Sequence, residues 1–450
     1  MLEGPHDTLM ADAREQRTCS RHTGPDDKLM REAMDVDPDS SAGAPDTRGS
    51  KKPDKPLAGV RVLDIATFLA APFAGTVLAD FGAEVIKIEQ PKVGDPLRGF
   101  GTPTDAGDTL VWLSEARNKK SVTLDLRMPE GAGIFRRLVR QSDVVLENFR
   151  PGTLERWGLG YEALRDINPG LVMLRVSAYG QTGPMRDKPG FARIAHAFAG
   201  LTALAGENDG PPVVPGSTSL ADYISGIWGA LGVLLALRVR ERTGRGQFID
   251  IALYESVFRL LDELAPAYAK TGFVRQRMGA DTVNAAPHSH YRTATGQWVA
   301  IACTSDKMFE RLARVMGQPQ LAATPEFATS QARVARRDEV NAIVARWVGG
   351  LAMAEVLARC EAGEVPCGPV YSIADICQDA HYRARENLLQ VTDPRAGPLV
   401  LPAAVPRLSD TPAQFRHAGR ALGVDTAEVL GSLLGMDADA LRALSKAGVI

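Results

Sequence analysis

Val60-Arg61-Val62-Leu63-Asp64-Ile65, then the apolar-faced stretch Ala70 to Phe81, then Glu84-Val85-Ile86-Lys87-Ile88-Glu89 decide the fold. They read as strand, helix, strand. A helical crossover of that length joins parallel strands, and the resulting unit is right-handed by rule. The alternation then continues. Ser121 to Leu126 reads as a strand, and Pro129 to Arg140 as a helix with Pro in its first turn. Asp143 to Glu147 is expected as a strand, Glu155 to Ile167 as a helix and Leu171 to Ala178 as a strand. This pattern predicts an α/β fold with a mostly parallel, Rossmann-like doubly wound sheet. Ligands of such sheets sit beyond the carboxyl ends of the strands. Thr67 to Pro72, Gln90 to Arg98, Asn148 to Arg150 and Tyr179 to Gly183 are therefore the first places to look.

A dinucleotide is not expected there. No G-x-G-x-x-G joins the first strand to its helix, where Leu69-Ala70-Ala71-Pro72 stands, and no Walker motif occurs. The glycines of Thr243-Gly244-Arg245-Gly246-Gln247 follow a helix and precede the strand Phe248 to Leu253, so they make a turn.

The longest apolar segment lies in Pro215 to Arg245, PGSTSLADYISGIWGALGVLLALRVRERTGR, with Ser219 as its expected N-cap. Asp222 falls in the first turn, where the helix dipole favours an ionised carboxylate and free backbone N–H groups lie close. An acid there is also a common stabilising feature of helix starts. The apolar run Ile224 to Leu237 is shorter than the ~20 residues a bilayer span needs, so it reads as a buried core helix.

Outward from this core the texture changes. Residues 1–55 are polar, almost free of aromatic and β-branched residues, and without periodicity, so a disordered tail is expected. The acids Asp35, Asp37 and Asp39 argue against a transit peptide, and no apolar leader segment is visible. Residues 56–282 form the first part of a large domain. Tyr291 to Ala294 and Trp298 to Cys303, joined through Thr295-Gly296, read as a hairpin opening a small α+β domain over residues 283–365. Its helices are expected near Lys307 to Met316, Asp338 to Val348 and Ala354 to Ala362. From Pro366 to residue 450 the chain is expected to return to the large domain.

At 450 residues and a net charge of −2, the chain has material for two or three domains and no electrostatic grip on nucleic acid or anionic membranes. The five cysteines, Cys19, Cys303, Cys360, Cys367 and Cys377, show no C-x-x-C pair or metal spacing. They read as reduced thiols of a cytoplasmic protein, and no metal is expected.

Several stretches together carry a resemblance. PLAGVRVLDIATFLAAPFAGTVLADFGAEVIKIEQPKVGDPLR, RNKKSVTLDLR, SDVVLENFRPGTLERWGL, SAYGQTGP, SLADY, TGRGQFIDIAL and VPCGPV follow one another from Pro56 onward. In this order and spacing the chain resembles the family III CoA-transferases, the group of formyl-CoA and carnitine CoA-transferases. The resemblance implies an interlocked homodimer of Rossmann-like large domains, each with an inserted smaller domain. It implies a catalytic aspartate at Asp222. It also implies a CoA site at Leu69, Ala70, Gln90, Leu124, Asp125, Leu126, Arg127, Asn148, Phe149 and Arg156. Arg127 and Arg156 suit CoA's phosphates, although each is equally readable as a surface or packing arginine. No separate cofactor is implied, since the CoA thioester is a co-substrate.

A carboxylate suits this chemistry, because it can attack a thioester and carry the acyl-CoA exchange through an anhydride and an aspartyl-CoA thioester. Two departures narrow the substrate. Phe191-Ala192 stands where the racemase branch has a His–acid pair, which argues against a 2-methylacyl-CoA racemase. The glycine-run loop of formyl-CoA transferase has no counterpart, which argues against formyl-CoA and oxalate. A small dicarboxylic acid is the expected acceptor, with succinyl-CoA as a plausible donor. His288, His290 and Arg292, at the entry to the small domain, are candidates for its second carboxylate. An inactive acyl-CoA-binding subunit is the non-enzymatic alternative, and Asp222 argues against it. His196 reads as a packed core histidine, and Asp95 and Arg98 as a pair fixing their own loop.

Overall fold

The computed structural model describes residues 55–450; the disordered tail expected over residues 1–55 lies, apart from its last residue, outside the described residues. Strands β1 (Arg61–Asp64), β2 (Glu84–Glu89), β3 (Lys119–Thr123), β4 (Val144–Glu147), β5 (Val172–Ser177) and β6 (Phe248–Ala252) form one sheet. Their order is β3-β2-β1-β4-β5-β6, and every neighbouring pair is parallel. The order reverses between β1 and β4, which leaves a crevice at the carboxyl ends of these strands.

Period-two alternation sends successive strand residues to opposite faces. Val62, Val85, Val144 and Val172 join one buried cluster with helix α1 (Ala70–Asp80), helix α3 (Ala192–Phe198) and helix α4 (Leu220–Thr243). Leu63, Ile86, Val145 and Met173 join the other, under helix α2 (Pro129–Val139). The terminal helices Thr426–Leu434 and Ala438–Lys446 pack on this second face through Val429, Leu430 and Leu444.

The single helix expected over Glu155 to Ile167 is two, Thr153–Arg156 and Tyr161–Ile167. Gly158, at φ +67°, turns the chain between them. Helix α4 runs for 24 residues, long and apolar enough to cross a membrane by length and composition, which exceeds the apolar run read from sequence. One face of it, including Ala221, Ser225, Gly226, Ala230 and Val233, is buried against the sheet and α1. Gly226 permits the close approach, since a Cβ there would lie 2.8 Å from the Ala70 carbonyl oxygen.

A second, antiparallel sheet follows: β7 (His288–Arg292), β8 (Trp298–Ala302) and β9 (Cys367–Pro369), in that order. With helices Asp306–Val315, Arg337–Gly349 and Met353–Ala362 it encloses its own core of Tyr291, Val299, Ile301, Leu312, Val344 and Val356. The segment expected to leave this region at Pro366 first adds β9 to its sheet. Three residues of that strand carry too little pattern to be read as one. A further hairpin, β10 (Leu388–Asp393) with β11 (Gly397–Pro402), was not foreseen from the sequence.

Candidate active site

The crevice at the switch in strand order holds a cavity of ≈ 200 Å³. Its wall includes Thr67, Lys87, Gln90, Leu124, Asp125, Leu126, Arg127, Phe149 and Trp157. Six of the residues singled out for CoA therefore meet around one space. Asn148 lies at its edge and uses both ends of its amide on Thr67. Oδ1 accepts the Thr67 N–H at 2.8 Å, and Nδ2 donates to the Thr67 carbonyl at 2.7 Å. It shapes the wall rather than presenting a free donor. Arg127 is half exposed and donates to Asp125, at 2.9 Å from Nε and 2.6 Å from Nη2. That pair raises the Arg127 pKa and lowers that of Asp125. Arg156 sits on the Thr153–Arg156 helix and donates to Thr153 Oγ1 at 3.0 Å.

Beneath the cavity lies a buried ionic cluster that the sequence reading missed. Lys87 Nζ is 2.8 Å from Asp95 Oδ2 and 3.6 Å from Asp64 Oδ1. Lys119 Nζ is 3.0 Å from Asp64 Oδ2 and donates to the Pro72 carbonyl at 2.6 Å. Burial alone would lower the Lys87 pKa, but Asp64 and Asp95 raise it overall; for Lys119 burial wins and the pKa falls. Asp95 Oδ1 accepts the N–H groups of Phe68 at 3.0 Å and Leu97 at 2.9 Å. Phe68 is held at φ +60°, a conformation unusual for an aromatic residue. Asp95 and Arg98 are thus joined through backbone alone, the Arg98 N–H donating to the Asp95 carbonyl at 2.9 Å, and their side chains do not pair. Arg98 instead bonds Glu89 at 2.7 Å and Asp108 at 2.8 Å, with its guanidinium 3.8 Å over the Trp112 ring. A signal existed: Lys87 interrupts an inner parallel strand, where an unbroken apolar run is the norm.

On the other side of β4, Glu147 bonds Arg175 at 2.7 Å and accepts the Phe149 N–H at 2.8 Å. Burial pushes its pKa up to about 7 despite the arginine. This pair fixes Phe149 on the cavity wall.

Leu69 and Ala70 are buried and do not line the cavity; Leu69 packs in one cluster with Leu97 and Tyr223, and Ala70 in another with residues of α4. Because Gly226 lies against Ala70, Asp222, one turn earlier on the same helix face, stands beside the start of α1. Its own N–H donates to the Ser219 carbonyl at 3.0 Å. Among the described residues no hydrogen bond or ion pair ends on its carboxylate. Burial pushes its pKa up to about 7, so desolvation outweighs the helix dipole expected to keep it ionised. Ser219 is the N-cap residue but makes no side-chain cap; His196 Nε2 accepts the Ala221 N–H instead, at 2.9 Å. Phe191 packs edge-on to Phe68, with ring centroids 6.2 Å apart, and remains 69% exposed.

His288, His290 and Arg292 lie on β7. Among the described residues no hydrogen bond or ion pair joins them to Asp222. His290 and Arg292 are exposed, and Arg292 lies against Gly296 on the hairpin turn. Among the described residues no three His, Cys, Asp or Glu side chains come together to hold a metal ion.

Comparison with known proteins bears on what this arrangement does. The profile of CoA-transferase family III matches residues 57–426. A succinyl-CoA–L-malate CoA-transferase beta subunit of Chloroflexus aurantiacus is 55% identical over 88% of this chain and 98% of its own. The succinyl-CoA–D-citramalate CoA-transferase of the same organism is 46% identical over 89% of this chain and 100% of its own. Among solved structures, a CAIB/BAIF family protein from Brucella suis superposes with a TM-score of 0.75 at 34% identity, covering 85% of this chain and 100% of its own.

Proposed function

The chain belongs to CoA-transferase family III, and we propose that it moves CoA from succinyl-CoA to a small 2-hydroxy dicarboxylic acid of the malate or citramalate type. The observation that carries the substrate class is the near full-length identity to two enzymes named for such acids. Asp222 is our candidate for the carboxylate that mediates transfer. It is supported by its unpaired, desolvated position beside the first turn of α1.

The chemistry then runs as follows. An Asp222 oxygen attacks the thioester carbon, and the C–S bond breaks to release CoA thiolate and leave a mixed anhydride. The thiolate attacks the aspartyl carbonyl, expelling succinate and forming an aspartyl-CoA thioester. The acceptor carboxylate attacks that thioester, and the reverse sequence regenerates Asp222. Water must be kept out, since it would hydrolyse each intermediate. The CoA moiety is assigned to the cavity of Gln90, Leu124 to Arg127 and Phe149, with Leu69, Ala70, Asn148 and Arg156 at its border. His288, His290 and Arg292 remain candidates for the second carboxylate of the acceptor.

We read the fold as a Rossmann-like large domain with an inserted small domain, assembled as an interlocked dimer in the cytoplasm. The outer face of α4 supports an assembly, with Ile227, Leu231, Leu234 and Leu235 between 43% and 60% exposed. Racemisation is disfavoured, because Ala192 offers no base and the imidazole of α3 is occupied by a backbone N–H. The test is direct. Incubation with succinyl-CoA and a panel of acids is expected to yield malyl- or citramalyl-CoA by mass, and D222A to yield none. Transfer surviving in D222A would remove Asp222 from the mechanism.

A further inference from the structure

The N-terminus of α4 is capped from another helix. A helix start leaves its first N–H groups without intrahelical partners, and a Ser, Thr, Asp or Asn at the N-cap ordinarily accepts one of them. Ser219 stands at that position and does not do so. The N–H of Ala221, adjacent to Asp222, is instead accepted by His196 Nε2 of α3 at 2.9 Å, with the imidazole 1% exposed. We infer that His196 is a positioning residue, which sets the backbone that carries Asp222 and must be neutral to do so. The inference rests on the reading of Asp222 as the nucleophile.

The geometry dictates the protonation state. An accepting Nε2 places the ring proton on Nδ1, which is buried and has no partner among the described residues. A second proton would turn Nε2 into a donor facing the Ala221 N–H, donor against donor, and the helix start would have to move away. A neutral acceptor also fits its place. An Asp or Glu cap would set a second negative charge beside Asp222 and further disfavour its ionised form. An imidazole satisfies the N–H without that charge.

The surroundings favour the neutral ring. Burial first, and Arg193 of the same helix second, lower the His196 pKa. Of the helices packed against α3, α4 carries Asp222 and Tyr223 in its first turn, helix α5 (Leu253–Phe258) carries Tyr254 and Glu255, and the short helix Leu201–Leu204 carries no titratable group. Among the described residues no carboxylate bonds the imidazole, so none of them holds the charged form.

The test compares H196A and H196Q in the full-length enzyme, with D222A alongside. Gln carries an amide oxygen about where Nε2 stands and does not titrate. H196A is expected to lower kcat of transfer by about 10- to 100-fold while KM for the CoA thioester stays within about twofold. H196Q is expected to restore kcat to within about threefold of wild type. The wild-type acid limb of log kcat against pH should steepen from a slope of one to a slope of two, as Asp222 and then His196 protonate. H196Q should keep a slope of one throughout. A purely structural histidine would lower the melting temperature without changing that slope. Equal kcat in H196A and wild type, or the same two-proton limb in H196Q, overturns the inference; should H196A not fold, the slope in H196Q decides alone. Activity retained in D222A overturns the nucleophile assignment instead, whatever the His196 variants do.

Discussion

The ends of β1, β2 and β4 and the β7–β8 hairpin both carry charged candidates, and treat them in opposite ways. At the strand ends Lys87, Glu89, Asp95 and Glu147 are buried, and each meets an opposite charge. On the hairpin His290 and Arg292 are exposed, and among the described residues no hydrogen bond or ion pair ends on their side chains. Buried pairs hold backbone in place because a lone buried charge is so costly. Exposed ones hold nothing until a ligand or another chain arrives. The first region is therefore preorganised, and the second waits for an occupant.

The contrast can be broken most severely at Lys87. Lys87→Met removes the partner of Asp95 and leaves two buried carboxylates with one lysine, so a loss of about 3–5 kcal/mol in urea unfolding is expected. Loss of less than ~1 kcal/mol would mean that the cluster is hydrated and does not anchor Phe68.

Asp222 sharpens the comparison through pH. The folded protein keeps a proton on Asp222 between the ordinary carboxyl value of 3.8 and about 7, whereas the unfolded chain has released it. Wild-type stability should therefore fall relative to non-titrating D222N as pH rises through that window, with the full difference above it. D222N is expected to be more stable at pH 8 by up to about 4 kcal/mol, and by less where solvent reaches the carboxylate. A gap that does not change between pH 4 and pH 8 would show that Asp222 is not desolvated.

Arg127 belongs to the first region by position but to the second by exposure. R127A is expected to raise KM for the CoA thioester about tenfold, or ~1.4 kcal/mol. Its pair with Asp125 is near the surface, so stability should change by less than ~1 kcal/mol. At the smallest end, R292A should leave unfolding unchanged within about 0.5 kcal/mol. If Arg292 reads the acceptor, its KM for a dicarboxylate rises while that for a monocarboxylate of similar length does not. A clear drop in melting temperature would instead make it a packing residue.

Part of the candidate site was legible because the strand ends follow from topology. Once Val60 to Glu89 read as strand, helix, strand, the strand ends had to be searched, and Gln90 and Phe149 from those ends line one cavity; Leu124 to Arg127, which line it too, came only through the family resemblance. What escaped was the support. Asp64, Lys87 and Lys119 lie far apart in sequence and meet only because β1, β2 and β3 are neighbours, with Asp64 opposite Lys87 in the β1–β2 register.

From the sequence alone came the parallel α/β core, the order of its elements, the placement of Asp222 in a helix first turn and the family resemblance. Each is local or co-linear information, carried by periodicity, turn residues and motif order. Tertiary structure alone decided the charge state of Asp222 and the identity of its helix cap. The helix dipole favours an ionised carboxylate, yet burial pushes its pKa to about 7. Ser219 occupies the cap position, yet the bond goes to His196, which comes from another helix. Both outcomes depend on which surfaces are brought against α4, and no spacing along the chain records that.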